Sequence, residues 1–304
     1  MDFNLLMLNL WIGMSRGVRE LPQLLFDLDY REFAIEKKFL NSEGGQVQPE
    51  LILTSESQQN CLLLEWKSGE NTDTAQIGRY MAVDSESLQR AFVSPTAASR
   101  HDVVYVGHME SEERLRIGLE ATGSGFPLVL VSADELRLVL NTFEVGALTE
   151  GFSSGLGITL SSIPTGFVPI GPESEPADVA EVVMPKILEF MADRRSIITV
   201  DEVAMATCGT WGVLERPARE QIRIRIATAL QDASREEFAR YFSYSTASGG
   251  RLTIRDNPLE LGATRRTAAY QALLGAQARF LARLSGRLVT EVGEQLDLEL
   301  ENQG

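Results

Sequence analysis

Apolar and polar positions change period several times along the first 140 residues, and each change marks an element. Ser15 to Phe26 places Val18, Leu21, Leu24 and Leu25 on one side of a helical wheel, which predicts an amphipathic helix. Glu32 to Leu40 alternates, with Phe33, Ile35 and Lys37 set against Ala34 and Glu36, and reads as a strand. Gly44-Gly45 turns the chain into the run Glu50-Leu51-Ile52-Leu53. Ser55 to Asn60 is a polar turn, and Cys61 to Trp66 is a short strand of the buried type. Thr74 to Phe92 carries the period of one helix. Val103 to Gly107 is strand-like. Ser111 to Glu120 is a helix that opens on acidic residues, where its dipole favours them, and Phe126 to Ser132 is another apolar strand. The order helix, three strands, helix, strand, helix, strand predicts an α/β domain, a mixed sheet flanked by helices, over residues 1–150.

The pattern then changes. Gly151 to Asp178 is rich in Gly, Ser and Pro and has no helical period, so residues 151–178 read as a connection. Residues 179–304 return to helical spacing: Val179 to Ala192, a short helix from Asp201 to Cys208, and Pro217 to Gln231, with Pro217 suited to a first turn. Ser234 with Glu237 three residues on has capping-box spacing and predicts a further helix. Phe242 to Tyr244 and Arg251 to Ile254 read as a hairpin through Gly249-Gly250. Thr264 to Leu288 reads as a long closing helix, followed by an acidic tail expected to fray. Three helices and a hairpin are the plan of a mainly helical, winged-helix-like domain.

Composition narrows the classes. The chain has 304 residues, 44% hydrophobic and 23% charged, enough for a proper core in one large domain or two ordinary ones. No window approaches the roughly 18 apolar residues that span a bilayer, so no membrane association is expected. The apolar stretch MDFNLLMLNLWIGMSRG lacks a basic leader; it reads as a core element rather than a signal peptide, with the cytoplasm as the expected address. Cys61 and Cys208 are too far apart in sequence for a ligand pair, and His101 and His108 are the only histidines. Any catalysis must therefore run on carboxylates, lysine or hydroxyls. Ser161 and Ser162 have no adjacent histidine to activate them, and Gly123-Ser124-Gly125 reads as a turn rather than a phosphate loop.

The candidate chemistry lies between Pro49 and Tyr80. Glu65 and Lys67 alternate on one strand and so project to one face, with Trp66 on the other. If the Glu50 run pairs beside that strand, two carboxylates converge next to an ammonium. Such a set suits Mg²⁺ or Mn²⁺, which take hard oxygen ligands, and lysine would stabilise charge on a reacting phosphate. Glu-x-Lys by itself also describes an ordinary charge pair on a strand.

Taken together, these residues resemble the PD-(D/E)xK nuclease superfamily and its restriction-endonuclease-like fold. Pro49-Glu50 is followed fifteen residues on by Glu65-Trp66-Lys67 at the end of an apolar strand. Gln76 and Tyr80 resemble the Q-x-x-x-Y signature of the branch that includes RecB, Cas4 and phage exonucleases. The resemblance covers the first 140 residues and implies a metal-dependent deoxyribonuclease. In it Glu50 and Glu65 bind Mg²⁺ or Mn²⁺, Lys67 assists attack, and Gln76 and Tyr80 order the site. Many members carry a further acid on the first helix; Glu20 is the best-placed match, with Glu36 the alternative if Glu32 to Leu40 is helical. One departure is Glu50, where the family usually has Asp. Phage defence or repair extrapolates from the family. An inactive nuclease fold acting as an interaction subunit, or a winged-helix regulator, are the competing readings.

Charge bears on the partner. A formal net charge of −15 opposes nucleic-acid binding, which rests on cationic neutralisation, so a protein partner or a homo-oligomer is expected to help deliver DNA. Lysine is confined to positions 37, 38, 67 and 186, while arginine collects in the last third. Arg216, Arg219 and Arg223 share a helical face and Arg251 lies in the expected wing, so these four are the candidate DNA contacts. Arg225 and Arg255 lie nearby, and Glu215, Glu220, Glu236 and Glu237 are interspersed.

Overall fold

Met7, Leu10, Trp11, Ile12 and Met14 of the first helix, α1 (Phe3–Ser15), are wholly buried, so this helix is core on every side. The computed structural model describes residues 3–67, 72–171, 173–257 and 263–286; the acidic tail expected to fray lies outside them. The chain forms two compact units. One comprises residues 1–168 with 212–215, and the other residues 169–211 with 216–304.

Helix α1 accounts for the N-terminal apolar stretch, but the helix expected from Ser15 to Phe26 does not form. Gly17 takes φ +68°, its N–H donates to the Met14 carbonyl, and the Val18 N–H donates to the Gly13 carbonyl. This Schellman geometry stops α1, and Phe26 packs where a Gly17 side chain would lie. Only α2 (Leu24–Asp27) remains helical there.

The first unit continues with β1 (Arg31–Ile35), β2 (Phe39–Leu40), β3 (Gln46–Val47), β4 (Leu51–Ser55) and β5 (Asn60–Lys67). Next come α3 (Thr74–Met81), α4 (Ser85–Arg90), β6 (Arg100–His108), α5 (Glu112–Thr122), β7 (Leu128–Val131), β8 (Glu135–Leu140), α6 (Gly146–Ser153) and β9 (Leu156–Gly157). Seven strands make one mixed sheet in the order β1-β4-β5-β6-β7-β8-β9, with β5-β6 and β6-β7 parallel and the other pairs antiparallel. The α/β class with a helix-flanked mixed sheet is thus as expected.

Two boundaries differ. The strand read from Glu32 to Leu40 breaks at Glu36, which adopts φ 53°, and β2 pairs instead with β3. The helix read from Thr74 to Phe92 divides because the Asp84 carboxylate caps α4, accepting from the Ser87 N–H at 2.8 Å.

Alternation along β5 sorts the layers. Cys61 and Leu63 face a cluster with Ile77, Tyr80, Leu88, Leu115 and Leu119 of α3, α4 and α5. Trp66, on the opposite face, lies 6.5 Å from the ring of Trp11, which stacks at 5.5 Å on Phe152 of α6. Residues 151–168, read from the sequence as a connection, pack into this unit, with Phe152, Ile158, Ile163 and Val168 buried. Asn9 inside α1 holds their far end. Its Nδ2 donates to the Val168 carbonyl at 2.9 Å, and its Oδ1 accepts from the Phe167 and Val168 N–H groups at 3.1 Å each. Glycine and serine made the stretch look unstructured; its spaced apolar residues and one buried asparagine order it.

The second unit contains α7 (Pro176–Ala192), β10 (Ile197–Thr199), α8 (Val200–Thr207), α9 (Arg216–Ala233), β11 (Phe242–Ser245), β12 (Arg251–Ile254) and α10 (Ala263–Leu284). Its antiparallel sheet runs β10-β12-β11. The helix expected from Ser234 is replaced by turns, because Glu237 pairs with Arg283 of α10 instead of closing a capping box. The capping box lies at Thr199 and Glu202, opening α8. Phe238, within those turns, stacks on Phe242 and meets Phe280 edge-on.

Candidate active site

β5 ends on Glu65 and Lys67, both on the face that α3 covers. The register of α3 is set by Asp73, whose carboxylate accepts from the N–H groups of Ala75 at 2.9 Å and Gln76 at 3.2 Å. That start places Gln76 and Tyr80, one turn apart, over the end of β5. Lys67 Nζ donates to Glu65 Oε1 at 3.1 Å and to Gln76 Oε1 at 2.6 Å. Gln76 Nε2 donates to Glu65 Oε1 at 2.7 Å, and the Tyr80 hydroxyl to Glu65 Oε2 at 2.9 Å. All four side chains expected from the two motifs are therefore in one hydrogen-bonded set. Glu65 is only 4% exposed, so it is a buried carboxylate held by three donors, one of them cationic.

Glu50 immediately precedes β4. Its N–H donates to the Leu64 carbonyl at 3.0 Å, and its own carbonyl accepts from the Glu36 N–H at 3.0 Å. Burial pushes the Tyr80 phenol far above its ordinary range; Glu65, Tyr105 and Glu50 push it further. Tyr80 is thus a permanent donor, and both carboxylates act on its hydroxyl. Burial also raises the Glu36 carboxyl, against the pull of Lys38.

The third metal ligand expected from the sequence, Glu20, is not on a helix. Glu20 sits in an exposed turn between α1 and α2, because the helix expected from Ser15 to Phe26 does not form and α1 ends before Gly17. Glu36, the alternative, is not helical either, but its backbone adjoins Glu50. Among the described residues no three His, Cys, Asp or Glu side chains form a metal-ligand group. The chemistry of the donors nevertheless suits Mg²⁺ or Mn²⁺. Among the described residues Glu65 Oε2 accepts from Tyr80, whereas Oε1 accepts from both Lys67 and Gln76. Oε2 keeps a lone-pair direction, and carboxylates are the hard ligands such cations take beside water.

The arginines lie in the second unit. Arg216 and Arg219 are on the first turns of α9, with Arg216 exposed, and Arg251 is exposed at the start of β12. Arg223 is already paired, 3.3 Å from Asp201 and 3.9 Å from Glu220, so its charge is largely spent within the unit.

Three features escape the motif pattern. Asp73 bears an N-cap signature but belongs to neither motif. Tyr105, beside Glu65 on β6, places its ring 5.7 Å from Lys67 Nζ, and its buried hydroxyl has no partner among the described residues. At the opposite end of β5, Tyr30 donates to Asn60 at 2.7 Å, and Asn60 to Asp102 at 3.2 Å. Asp102 also accepts from the Glu144 N–H at 2.9 Å. No cation donates a hydrogen bond in this second network among the described residues; burial pushes Asp102 up to about 6, against the bonds from Glu144 and Asn60 and the pull of Arg100.

No helix of the described residues is long and apolar enough to cross a membrane. Neither a curated protein nor a solved structure matches the chain. The model of the MJECL32 domain matches residues 4–164, from α1 to just past β9, and the chain belongs to the MJECL32 domain family.

Proposed function

We propose that the first unit is a metal-dependent deoxyribonuclease of the PD-(D/E)xK type, with a restriction-endonuclease-like fold. The observation that carries this reading is the convergence of Glu65, Lys67, Gln76 and Tyr80. Two short motifs that are each common by chance meet at one carboxylate. Glu50 and Glu65 would hold Mg²⁺ or Mn²⁺, which when bound polarises a phosphate and acidifies water. Lys67, fixed between Glu65 and Gln76, is a preorganised cation for negative charge growing on the phosphate. Gln76 and Tyr80 hold Glu65 in place, so the site needs little reorganisation. Cytoplasmic action on DNA, in defence or repair and with a protein partner or a second copy, completes the proposal.

The second unit supports a winged-helix reading through its order helix, strand, helix, helix, strand, strand and its three-stranded antiparallel sheet. Arg216, Arg219 and Arg251 are its candidate DNA contacts, with Arg223 the weakest of the four because it is paired.

The test is cleavage of single-stranded, linear duplex and circular DNA with Mg²⁺, Mn²⁺ or EDTA, comparing wild type with Lys67→Ala. Metal-dependent cutting that disappears in the variant is expected. Absence of cutting with any metal overturns the catalytic reading. One observation favours an inactive interaction subunit: Glu65 Oε1 is occupied by Lys67 and Gln76, a closed network that a purely structural role would also use. Calorimetric titration with Mn²⁺ separates the two, since a structural network binds no metal through Glu50 and Glu65.

A further inference from the structure

Seven of the described helices, α1, α2, α4, α5, α6, α7 and α10, give way within two residues of their last to a residue in the left-handed region, and four of the seven use glycine there; Asp29, Phe92 and Arg194 are the other three. Gly17 has φ +68° and Gly123 φ +62°. After α4 the corresponding residue is Phe92, with φ 69°. Its N–H donates to the Gln89 carbonyl and the Val93 N–H to the Leu88 carbonyl, the same Schellman pairing that ends α1. A phenylalanine is costly in that conformation, which only glycine and asparagine enter readily. Core packing does not repay the cost, because Phe92 is 82% exposed.

The ring is surrounded by a particular chemistry. Lys37 Nζ lies 5.6 Å from the Phe92 ring and 5.8 Å from the Phe33 ring. Lys38, exposed, follows it. Lys37 thus lies beside an exposed aromatic face with Lys38 next in the chain, and these are two of only four lysines in a chain of net charge −15. Glu215 balances part of this charge at 3.0 Å from Lys37. The lysines also follow directly on Glu36, whose N–H donates to the Glu50 carbonyl, so this surface adjoins the candidate active site.

We propose that Phe92, with Phe33, Lys37 and Lys38, is a platform that stacks one unpaired nucleobase and holds its phosphate on a single strand passing to Glu50 and Glu65. The destination of the strand rests on the nuclease reading; the platform itself does not. A base in a duplex has both faces covered by its neighbours, so an exposed ring selects unpaired bases, and it does so with little regard to sequence. The strained conformation keeps the ring out of the core and in reach of a strand.

The test is fluorescence anisotropy with a short labelled single-stranded oligonucleotide in EDTA, where no cutting occurs. A matching duplex and an abasic strand serve as comparisons. Wild type is expected to bind the single strand more tightly than the duplex. Phe92→Gly is expected to weaken single-strand binding about 10-fold, from typical base–aromatic stacking, while leaving duplex and abasic-strand binding unchanged. The same variant is expected to melt at higher temperature, because glycine suits φ 69°; loss of affinity therefore cannot be ascribed to unfolding. Phe92→Trp is expected to retain binding. Wild-type affinity for the single strand in Phe92→Gly, the result if the face instead seats a protein, overturns the proposal, as does failure of wild type to bind the strand. Metal-dependent cutting by the same preparations keeps the two readings apart. Binding lost in Phe92→Gly with no cutting by wild type sustains the platform and removes the nuclease. Cutting with unchanged affinity does the reverse.

Discussion

The Tyr80 hydroxyl donates to Glu65 Oε2 at 2.9 Å, tying the last turn of helix α3 to the end of strand β5. Gln76 holds the other oxygen of the same carboxylate from one turn earlier. The carboxylate is therefore shared between a helix and a strand that are eleven and fifteen residues apart in these two bonds, and its orientation belongs to neither element alone.

Tyr80→Phe removes one donor and leaves Glu65 Oε2 buried without it. The expected loss of stability is about 1–3 kcal/mol, the cost of an unsatisfied buried acceptor, because Phe keeps the apolar packing. Urea denaturation reads this directly, and an unchanged midpoint would show that the bond is not formed in solution.

Asp102 gives the stability a pH dependence. Burial raises its folded-state pKa to about 6 from an ordinary value of 3.8, despite bonds from Glu144 and Asn60. The folded state then holds the proton more tightly than the unfolded chain, so stability falls as pH rises from about 4 to about 6 and levels off above. The upper bound is about 3 kcal/mol, since each tenfold change in proton affinity is worth about 1.4 kcal/mol. Asp102→Asn should flatten this window and be the more stable protein at pH 7, provided the Asn60 amide reverses to accept. Thermal melts of both proteins from pH 4 to 7 test it; parallel curves would refute the assignment.

Asn9→Leu removes the side chain that satisfies the Phe167 and Val168 N–H groups and the Val168 carbonyl. Three backbone groups lose this partner, the two on Val168 buried and the Phe167 N–H partly so, with an expected cost of about 2 kcal/mol. Limited proteolysis should then cut within residues 151–168 faster than in wild type. Equal cutting rates would mean that Asn9 does not anchor the segment.

Thr199 and Glu202 cap α8 reciprocally. Thr199 Oγ1 accepts from the Glu202 N–H at 3.2 Å, and Glu202 Oε2 accepts from the Thr199 N–H at 2.8 Å. Thr199→Ala is expected to cost about 1 kcal/mol, typical of a lost N-cap, and to reduce hydrogen-exchange protection in the first turn of α8. Unaltered protection there would place the control of that helix elsewhere.

Local pattern was enough for much of this protein. Alternation from Cys61 to Lys67 put Glu65 and Lys67 on one face and Trp66 on the other, since strand geometry has a fixed period of two. The i, i+4 spacing of Gln76 and Tyr80 put both on one side of a helix for a similar reason. Period and spacing also sufficed for the α/β class and the mainly helical character of the described residues from 179 on. Element ends were less legible. Gly17 and Glu36, each in the left-handed region, ended a helix and a strand that hydrophobic period alone would have continued. The Ser234–Glu237 spacing fitted a capping box, yet Arg283, some forty-six residues away, claimed Glu237.

Long-range choices belonged to the tertiary structure. That Gln76 and Tyr80 reach Glu65, that the Glu36 backbone adjoins Glu50, and that residues 151–168 bind α1 through Asn9 all depend on chain segments meeting in the fold. A sequence states which groups are present and which face of their own element they occupy. Only packing decides which donor meets which acceptor, because each buried polar group takes the partner that the fold brings within hydrogen-bond reach.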